Sequence, residues 1–429
     1  MNTSLMLSKL ILKNFKNIKI ENHLPLNNLN VLIGPNGSGK SNLIALLKFM
    51  RNCLISNSDE GRGVTDFEEA VIELGDHKIL DATVQAPATV SFEFEFNAVE
   101  VIRREIKLEL DIMLKGANTN PIVRREILCD SQPALGETSP FCYYKAHEPE
   151  SGAGVVTIYN DADRRSSRFE KLHDVPVNRL TLSSIPELLE FSLFSPEDTP
   201  VYKVRRQMTD IISGWRFYNA NDMNLKDIRN SEPKIGPADI FLSSSGENLP
   251  LVLDNLTQKD FDFDERINDA MKNILPLTRK IRAVRSGRLR LTVEWYMEGM
   301  NECFYLNDIS DGSVRMLCWA IVLHSPVLPS LLVMDEPETG LHPSWMKTLA
   351  EWIKTASERT QIIIATHSPD LLDHFTDRYK DVLCFEYDGK KHFVPRRLPE
   401  EELKVKIEEG WELGDLYRVG DHAVGGWPW

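Results

Sequence analysis

Residues 29–50 read LNVLIGPNGSGKSNLIALLKFM. The first five, LNVLI, are almost wholly apolar, the pattern of a short strand covered on both faces. After Lys40, the residues Leu43, Leu46, Leu47 and Met50 recur at helical spacing, so a helix follows. Between strand and helix lies Gly34-Pro35-Asn36-Gly37-Ser38-Gly39-Lys40-Ser41, a match to G-x-x-x-x-G-K-[ST] in the setting that the motif requires. Without that setting it would be an ordinary glycine turn. Glycines let such a loop wrap an anion, with backbone N–H groups pointing inward at the positive end of a helix. Gly34, Asn36, Gly37, Ser38, Gly39 and Asn42 are then expected around the phosphates of ATP. Lys40 reaches the β- and γ-phosphates, and Ser41 offers its hydroxyl to Mg²⁺.

Working outward, MLSKLILKNF (6–15) and KNIKI (16–20) read as strands leading into this unit. Far along the chain come LLVMDE (331–336), the helical SWMKTLAEWIKTAS (344–357) behind Pro343, and QIIIATHS (361–368). Strand, helix and strand with continuous apolar strands predict a parallel sheet buried on both faces. Asp335 ends the strand LLVMD, where a carboxylate holds Mg²⁺ through its water shell; Ser41 and Asp335 are the expected metal pair. Glu336 follows and is placed to polarise the water attacking the γ-phosphate. The alternative is that both carboxylates only cap the turn before Pro337. His367, past QIIIAT, suits a γ-phosphate contact in the company of the other motifs; alone, a strand-end histidine is more often structural. Lys40, Glu336 and His367 are the expected catalytic groups.

The stretch YLNDISDGSVRMLCWAIVL (305–323) sets four small or polar residues, Ser310, Asp311, Gly312 and Ser313, before an apolar helix. A cap needs one such residue. Ser310 and the N–H groups near Gly312 form an anion site at a helix start. The groups already assigned cover one side of the nucleotide only. A second copy related by a two-fold axis is expected to close the other side with this turn, giving a homodimer with two nucleotides.

In the middle of the chain ATVSFEFEF (88–96) alternates apolar and polar residues, the mark of a half-buried antiparallel strand. IKLELDIML, CYYK and GVVTIYN read as further strands, SSGENLPLVLDNL and DERINDAMKNILP as helices, and LRLTVEWYM as a strand. Residues 55–66 read as a polar loop, and no heptad pattern predicts a coiled-coil arm. The expected fold is α/β: a P-loop NTPase with a mainly parallel core sheet, an antiparallel β subdomain and a mixed helical insertion. The expected divisions are 1–96, 97–290, 291–395 and an acidic extension at 396–429.

The 429 residues carry 64 acidic against 50 basic groups, a net charge of −14, which disfavours nucleic-acid binding through the whole surface. One basic stretch stands out, TRKIRAVRSGRLRL (278–291), with Arg279, Lys280, Arg282, Arg285, Arg288 and Arg290. It suits contact with DNA phosphates, or equally a solvated strand face or a protein partner. Six cysteines at irregular spacing without a C-x-x-C pair fit reduced thiols, no apolar run is long enough to span a bilayer, and the N-terminus lacks a signal-peptide pattern. A cytoplasmic protein is expected. The segment PEEELKVKIEEGWELGD (399–415) reads as a solvated helix packed through Leu403 and Ile407, or as a docking element around Trp411; Trp427 and Trp429 end the chain.

These segments resemble ATP-binding-cassette (ABC) type ATPases of the RecF and SMC branch. LILKNFKNI followed by LNVLIGPNGSGKSNLI is similar to the start of that branch. ISDGSVR resembles the signature loop, with Asp311 where glycine is commoner; LLVMDEPETGLHP resembles Walker B and the D-loop, and ATHSPDLL the switch-histidine segment. DEPETGLHP, SGWRFYN (213–219), SSSGENLPLVL (243–253) and GDLYRVGDHAVGGWPW are similar to OLD-like and stand-alone bacterial ATPases. The resemblance implies an ABC-type head that dimerises on ATP. Gln85 and Gln207 are the candidates for its Q-loop glutamine, and the Toprim-type nuclease of OLD proteins is expected to be a separate protein if one is involved. In defence-type operons such ATPases are often paired with a Toprim-like or related effector, a partner that the resemblance permits. The expected function is an ATP-hydrolysing switch gating DNA engagement or a partner nuclease or toxin, in antiphage defence or DNA repair. The alternatives are an ATP-binding sensor or scaffold with little hydrolysis, and a transporter ATPase subunit.

Overall fold

The computed structural model describes residues 6–55, 66–97, 104–116, 119–148, 154–159, 169–190 and 200–426. Most of the 55–66 loop, Trp427 and Trp429 lie outside the described residues. The chain starts with the antiparallel pair β1 (Leu7–Phe15) and β2 (Ile18–Pro25), then β3 (Leu29–Ile33), and passes through the glycine loop into α1 (Lys40–Asn52). Leu43, Leu46, Leu47, Phe49 and Met50 form the buried face of α1. After α2 (Asp66–Leu74), six strands follow: β4 (Ala88–Phe96), β5 (Ile106–Leu114), β6 (Ile122–Asp130), β7 (Cys142–His147), β8 (Gly154–Tyr159) and β9 (Phe169–Val175). α3 (Thr181–Glu190) and α4 (Pro200–Ser213) lead to a short strand, β10 (Arg216–Asn219), and then to α5 (Leu225–Arg229), α6 (Leu249–Lys259) and α7 (Phe263–Lys272).

A hairpin, β11 (Thr278–Ser286) and β12 (Arg290–Met297), joins β13 (Phe304–Tyr305) in a separate three-stranded sheet. The core resumes with α8 (Asp311–Leu323), β14 (Leu331–Asp335), α9 (Met346–Ser357), β15 (Gln361–Ala365) and α10 (Pro369–Asp373). The antiparallel pair β16 (Val382–Tyr387) and β17 (Phe393–Arg397) precedes the C-terminal helices α11 (Glu400–Glu408) and α12 (Leu413–Arg418).

Fourteen strands form one sheet in the order β10-β14-β15-β3-β16-β17-β2-β1-β4-β5-β6-β7-β8-β9. The first five are mutually parallel. From β1 and β2 to β9 every pairing is antiparallel. The two halves meet where β17 touches β2 at the single pair Phe393 and Ile18. This is the expected α/β P-loop architecture. The segment 97–290 contributes β5–β9 to the antiparallel half and β10 to the edge of the parallel half.

The unbroken apolar runs of the parallel strands have a plain cause. Alternate residues point to opposite faces: Leu331, Val333, Ile363 and Ala365 enter the core that holds α1, while Leu332, Met334, Ile362 and Ile364 enter the core that holds α8 and α9. In β5, by contrast, every second residue is buried and the others are half-buried. Among the described residues the longest helix, α4, has 14 residues, in keeping with the absence of a heptad pattern.

Candidate functional site

The parallel register fixes the geometry. Leu32 of β3 lies level with Ala365 of β15, and Ala365 with Asp335 of β14. The loop after β3, His367 after β15, and Asp335 and Glu336 at the end of β14 therefore emerge along one sheet edge. With strands about 4.8 Å apart they span about 10 Å.

The glycine loop needs its glycines. Gly34, Gly37 and Gly39 have φ of +143°, +77° and +103°, in the region open to residues without a Cβ. A Cβ on Gly39 would also lie 2.6 Å from Ile18 Cγ1. Lys40 is buried, and its Nζ donates to the carbonyls of Gly34 (2.7 Å) and Pro35 (3.2 Å) and to Ser38 Oγ (3.4 Å). Burial brings its pKa down to about 8, against the opposing charges of Asp335, Cys384 and Glu336. Asn36 and Ser41 are exposed, and Ser38 is buried. Asn42 faces sideways: its amide donates to Asn17 Oδ1 (2.8 Å) and its carbonyl oxygen accepts from Lys16 Nζ (3.1 Å).

The carboxylates are held by groups that pattern reading did not select. Asn219, at the end of β10, donates to Asp335 Oδ2 at 3.0 Å, and Asn221 to Glu336 Oε2 at 3.2 Å. Glu336 takes φ +49°, unusual for a residue with a side chain, while its N–H donates to Ala365 O at 2.8 Å. Burial, then the charge of Glu336, raises the pKa of Asp335. Glu338 accepts from Thr366 Oγ1 (2.5 Å) and the His367 N–H (3.2 Å) through Oε1, while its buried Oε2 has no partner among the described residues. Burial raises its pKa as well. His367 is half-buried; burial, then the charge of Lys40, lowers its pKa, so the ring stays neutral near pH 7. The only signal for Asn219 was its position in the quoted RFYN, and for Glu338 its position in DEPETG.

The turn at 310–313 packs within its own chain. Ser310 caps α8, its hydroxyl accepting from the Ser313 N–H (3.4 Å) and lying 2.8 Å from Ser313 Oγ. Asp311 pairs with Arg229 of α5 at 2.6 Å, and Arg315 donates to Ala220 O. A Cβ on Gly312 would lie 2.8 Å from Trp345 Cζ3. The glycine thus has an intramolecular reason, close packing under Trp345, whatever approaches from outside. Trp319 Nε1 donates to Pro337 O at 3.0 Å and ties α8 to the turn after β14. Among the described residues no hydrogen bond joins 309–315 to the glycine loop.

The C-terminal segment reaches the site too. Tyr417 of α12 donates to Gly34 O at 3.1 Å, and Cys384 Sγ to Val424 O at 3.2 Å. Leu403 is buried and Ile407 partly so, as the solvated-helix expectation required, while Trp411 is 42% exposed. Gln85 is exposed and Gln207 half-buried on α4.

A parallel sheet with a glycine loop after a central strand, a carboxylate-tipped strand two places away, and a helix behind a Ser-Asp-Gly turn define a P-loop ATPase head of the ABC type. The model of the family described as "AAA domain, putative AbiEii toxin, Type IV TA system" matches residues 29–373, and the chain belongs to that family. Among curated proteins, the rat (Rattus norvegicus) ATP-binding cassette sub-family A member 17 is 22% identical over 160 residues, 35% of this chain and 9% of that protein. Phosphate import ATP-binding protein PstB 2 of Mycobacterium tuberculosis (strain CDC 1551 / Oshkosh) is 33% identical over 70 residues, 16% of this chain and 25% of that one. The chain thus spans a quarter or less of the length of these relatives. A solved SMC head bound to the C-winged helix domain of ScpA is 14% identical, covering 92% of this chain and 99% of that one, with a TM-score of 0.48. Among the described residues no helix is long and apolar enough to cross a membrane.

Proposed function

We propose that the protein is an ATP-hydrolysing switch that works as a homodimer. ATP lies over the glycine loop, with Lys40 exchanging its carbonyl partners at Gly34 and Pro35 for the β- and γ-phosphates. The donor set fits a hard divalent cation: the Ser41 hydroxyl and the Asp335 carboxylate are oxygen ligands of the kind Mg²⁺ prefers, and the crowding of Asp335 with Glu336 favours a cation there. Bound Mg²⁺ would neutralise charge on the β- and γ-phosphates. Glu336 orients the attacking water, and neutral His367 contacts the γ-phosphate. Ser310 and the N–H groups around Gly312 of a second copy close the open side. Hydrolysis then separates the two copies and releases a partner nuclease or toxin, or DNA, in antiphage defence or repair.

One observation carries this reading: every charged group assigned to the triphosphate lies along one strand edge, while the Ser310–Gly312 turn is held by Arg229 and Trp345 and, among the described residues, shares no hydrogen bond with the glycine loop. The test is size-exclusion chromatography of Glu336→Gln protein with ATP and Mg²⁺. The variant is expected to elute as a dimer, and to stay monomeric without nucleotide or when Lys40→Ala is added. A monomer under all three conditions refutes the dimer switch.

DNA contact, as part of this reading, rests on the β11–β12 hairpin. All six cations there are exposed. Lys280 is paired with Asp264 (3.2 Å) and Arg282 with Glu294 (3.0 Å), and Arg290 donates to Glu232 O (3.3 Å). Arg279, Arg285 and Arg288 have no such partner among the described residues and are the ones available to phosphates.

A further inference from the structure

On a chain of net charge −14, two guanidinium groups share one cavity whose single lining carboxylate, Asp239, forms an ion pair with neither among the described residues. Arg51 stands in the last turn of α1, where a helix C-terminus favours a cation. Arg216 opens β10, and its charge opposes that of Arg51. Neither forms an ion pair among the described residues, although Asp66, Glu69 and Glu73 line the neighbouring hollow beside Arg51. Arg51 Nε is buried with no hydrogen-bond partner. Arg216 Nη1 spends itself on the carbonyls of Ser213 (3.2 Å) and Trp215 (3.1 Å). Each guanidinium lies over an aromatic ring, Arg216 4.4 Å from the centroid of Phe241 and Arg51 6.0 Å from that of Phe217. Such stacking holds the groups flat and leaves their edges free.

The cavity measures about 300 Å³, within the range of small-ligand sites. Its other polar lining includes one exposed carboxylate, Asp239, and otherwise divides into used and free groups. Tyr218 Oη donates to Leu242 O (2.9 Å), and Asn248 is engaged with the Ser243 N–H (2.8 Å) and Phe241 O (3.1 Å). Among the described residues Ser244, which is exposed, makes no side-chain hydrogen bond, and Ser243 Oγ has only Ser245 Oγ at 3.2 Å. Two guanidinium forks, two hydroxyls and two aromatic faces match a phosphate attached to a planar ring.

We propose that this cavity binds a phosphate-bearing small molecule of mononucleotide size, with Arg51 and Arg216 on the phosphate and Ser243 and Ser244 on its remaining oxygens. The site is separate from the glycine loop yet tied to it at both ends. The helix that ends near Arg51 begins at Lys40, and the strand that begins at Arg216 ends at Asn219, the partner of Asp335. The inference concerns binding alone and stands whether or not the glycine loop hydrolyses ATP.

The test uses full-length Lys40→Ala protein, so that the glycine loop does not compete. AMP and inorganic pyrophosphate are titrated separately by calorimetry. Saturable binding is expected with at least one probe, weakened about 10-fold or more by Arg51→Gln or Arg216→Gln. AMP alone binding assigns a nucleotide; both binding assigns the phosphate groups. Ser244→Glu, at an exposed position, is expected to abolish binding and to raise the melting temperature of the probe-free protein by supplying an ion-pair partner for the two arginines. It decides the matter if the arginine variants do not fold. No saturable binding of either probe, binding of a single-stranded oligonucleotide but of neither small probe, or undiminished binding in Ser244→Glu overturns the proposal.

Discussion

Two buried glutamates show how the halves of the sheet differ. Glu126, on β6 in the antiparallel half, is fully satisfied: Tyr144 Oη (2.7 Å) and the N–H groups of Leu182 (2.8 Å) and Thr181 (2.6 Å) all donate to it. It caps α3, and both of its oxygens are hydrogen-bonded. Glu338, beside β14 in the parallel half, has two donors on one oxygen and none on the other. Asp335 nearby has one side-chain donor and a charged neighbour, Glu336. The antiparallel half also spreads its charges over a face, in pairs such as Lys9–Glu95 and Lys107–Glu109, both at 2.7 Å. The parallel half is buried on both faces, so its polar groups gather at strand ends, incompletely partnered. Incomplete partnering of buried polar groups is costly unless a ligand completes it.

The contrast is broken most severely at Glu336. Glu336→Gln is expected to cut ATP turnover by about 10²–10³-fold, in the range of a lost general base, while ATP affinity persists in equilibrium binding. Turnover equal to the parent's removes Glu336 from the chemistry. The matching change in the other half is Glu126→Ala, which leaves the Tyr144 hydroxyl and two N–H groups of α3 unmet. It is expected to cost about 2–4 kcal/mol in denaturant unfolding and to leave the turnover of the folded protein intact. A loss of turnover at full folding would mean that the halves are not separable in function.

A titration sharpens the comparison further. His324, which ends α8 beside Trp352, has its pKa lowered from 6.5 to about 4 by burial, then by Arg266 and Arg359. The unfolded chain takes up this proton first as pH falls, so the contribution is full above pH 6.5 and is lost progressively down to about pH 4. Parent protein should lose stability over that window, and His324→Phe should lose less. Equal losses would show that His324 is not the group responsible. The smallest effect is expected at the hairpin. Arg285→Ala with Arg288→Ala should lower the slope of log affinity for DNA against log salt by about 2, with no change in ATP turnover. An unchanged slope removes the hairpin from DNA contact.

The same contrast explains what was legible in the sequence. The parallel half could be read because its signals are local: five-residue apolar strands, a glycine loop at fixed spacing, and acids directly after Met334. In the antiparallel half β4 and β5 were legible from strict alternation, but β6 and the polar β9, FEKLHDV, were not. The pairing of β10 with β14 joins residues more than a hundred positions apart, and no local pattern announces it. Asn219, Tyr417 and the packing of Gly312 under Trp345 depend on such distant pairings. The turn at 310–313 was legible as unusual, but its small residues have an intramolecular cause that the sequence alone did not reveal.

The claim that one copy finishes the triphosphate site of another is tested most directly by mixing two inactive proteins. Lys40→Ala lacks the phosphate lysine, and Ser310→Glu sets a negative charge against the γ-phosphate across the dimer. Each alone is expected to be without ATP turnover, and an equal mixture to regain part of it, since one site in each mixed dimer keeps both Lys40 and Ser310. A mixture as inactive as its components, with both proteins folded, would contradict the account.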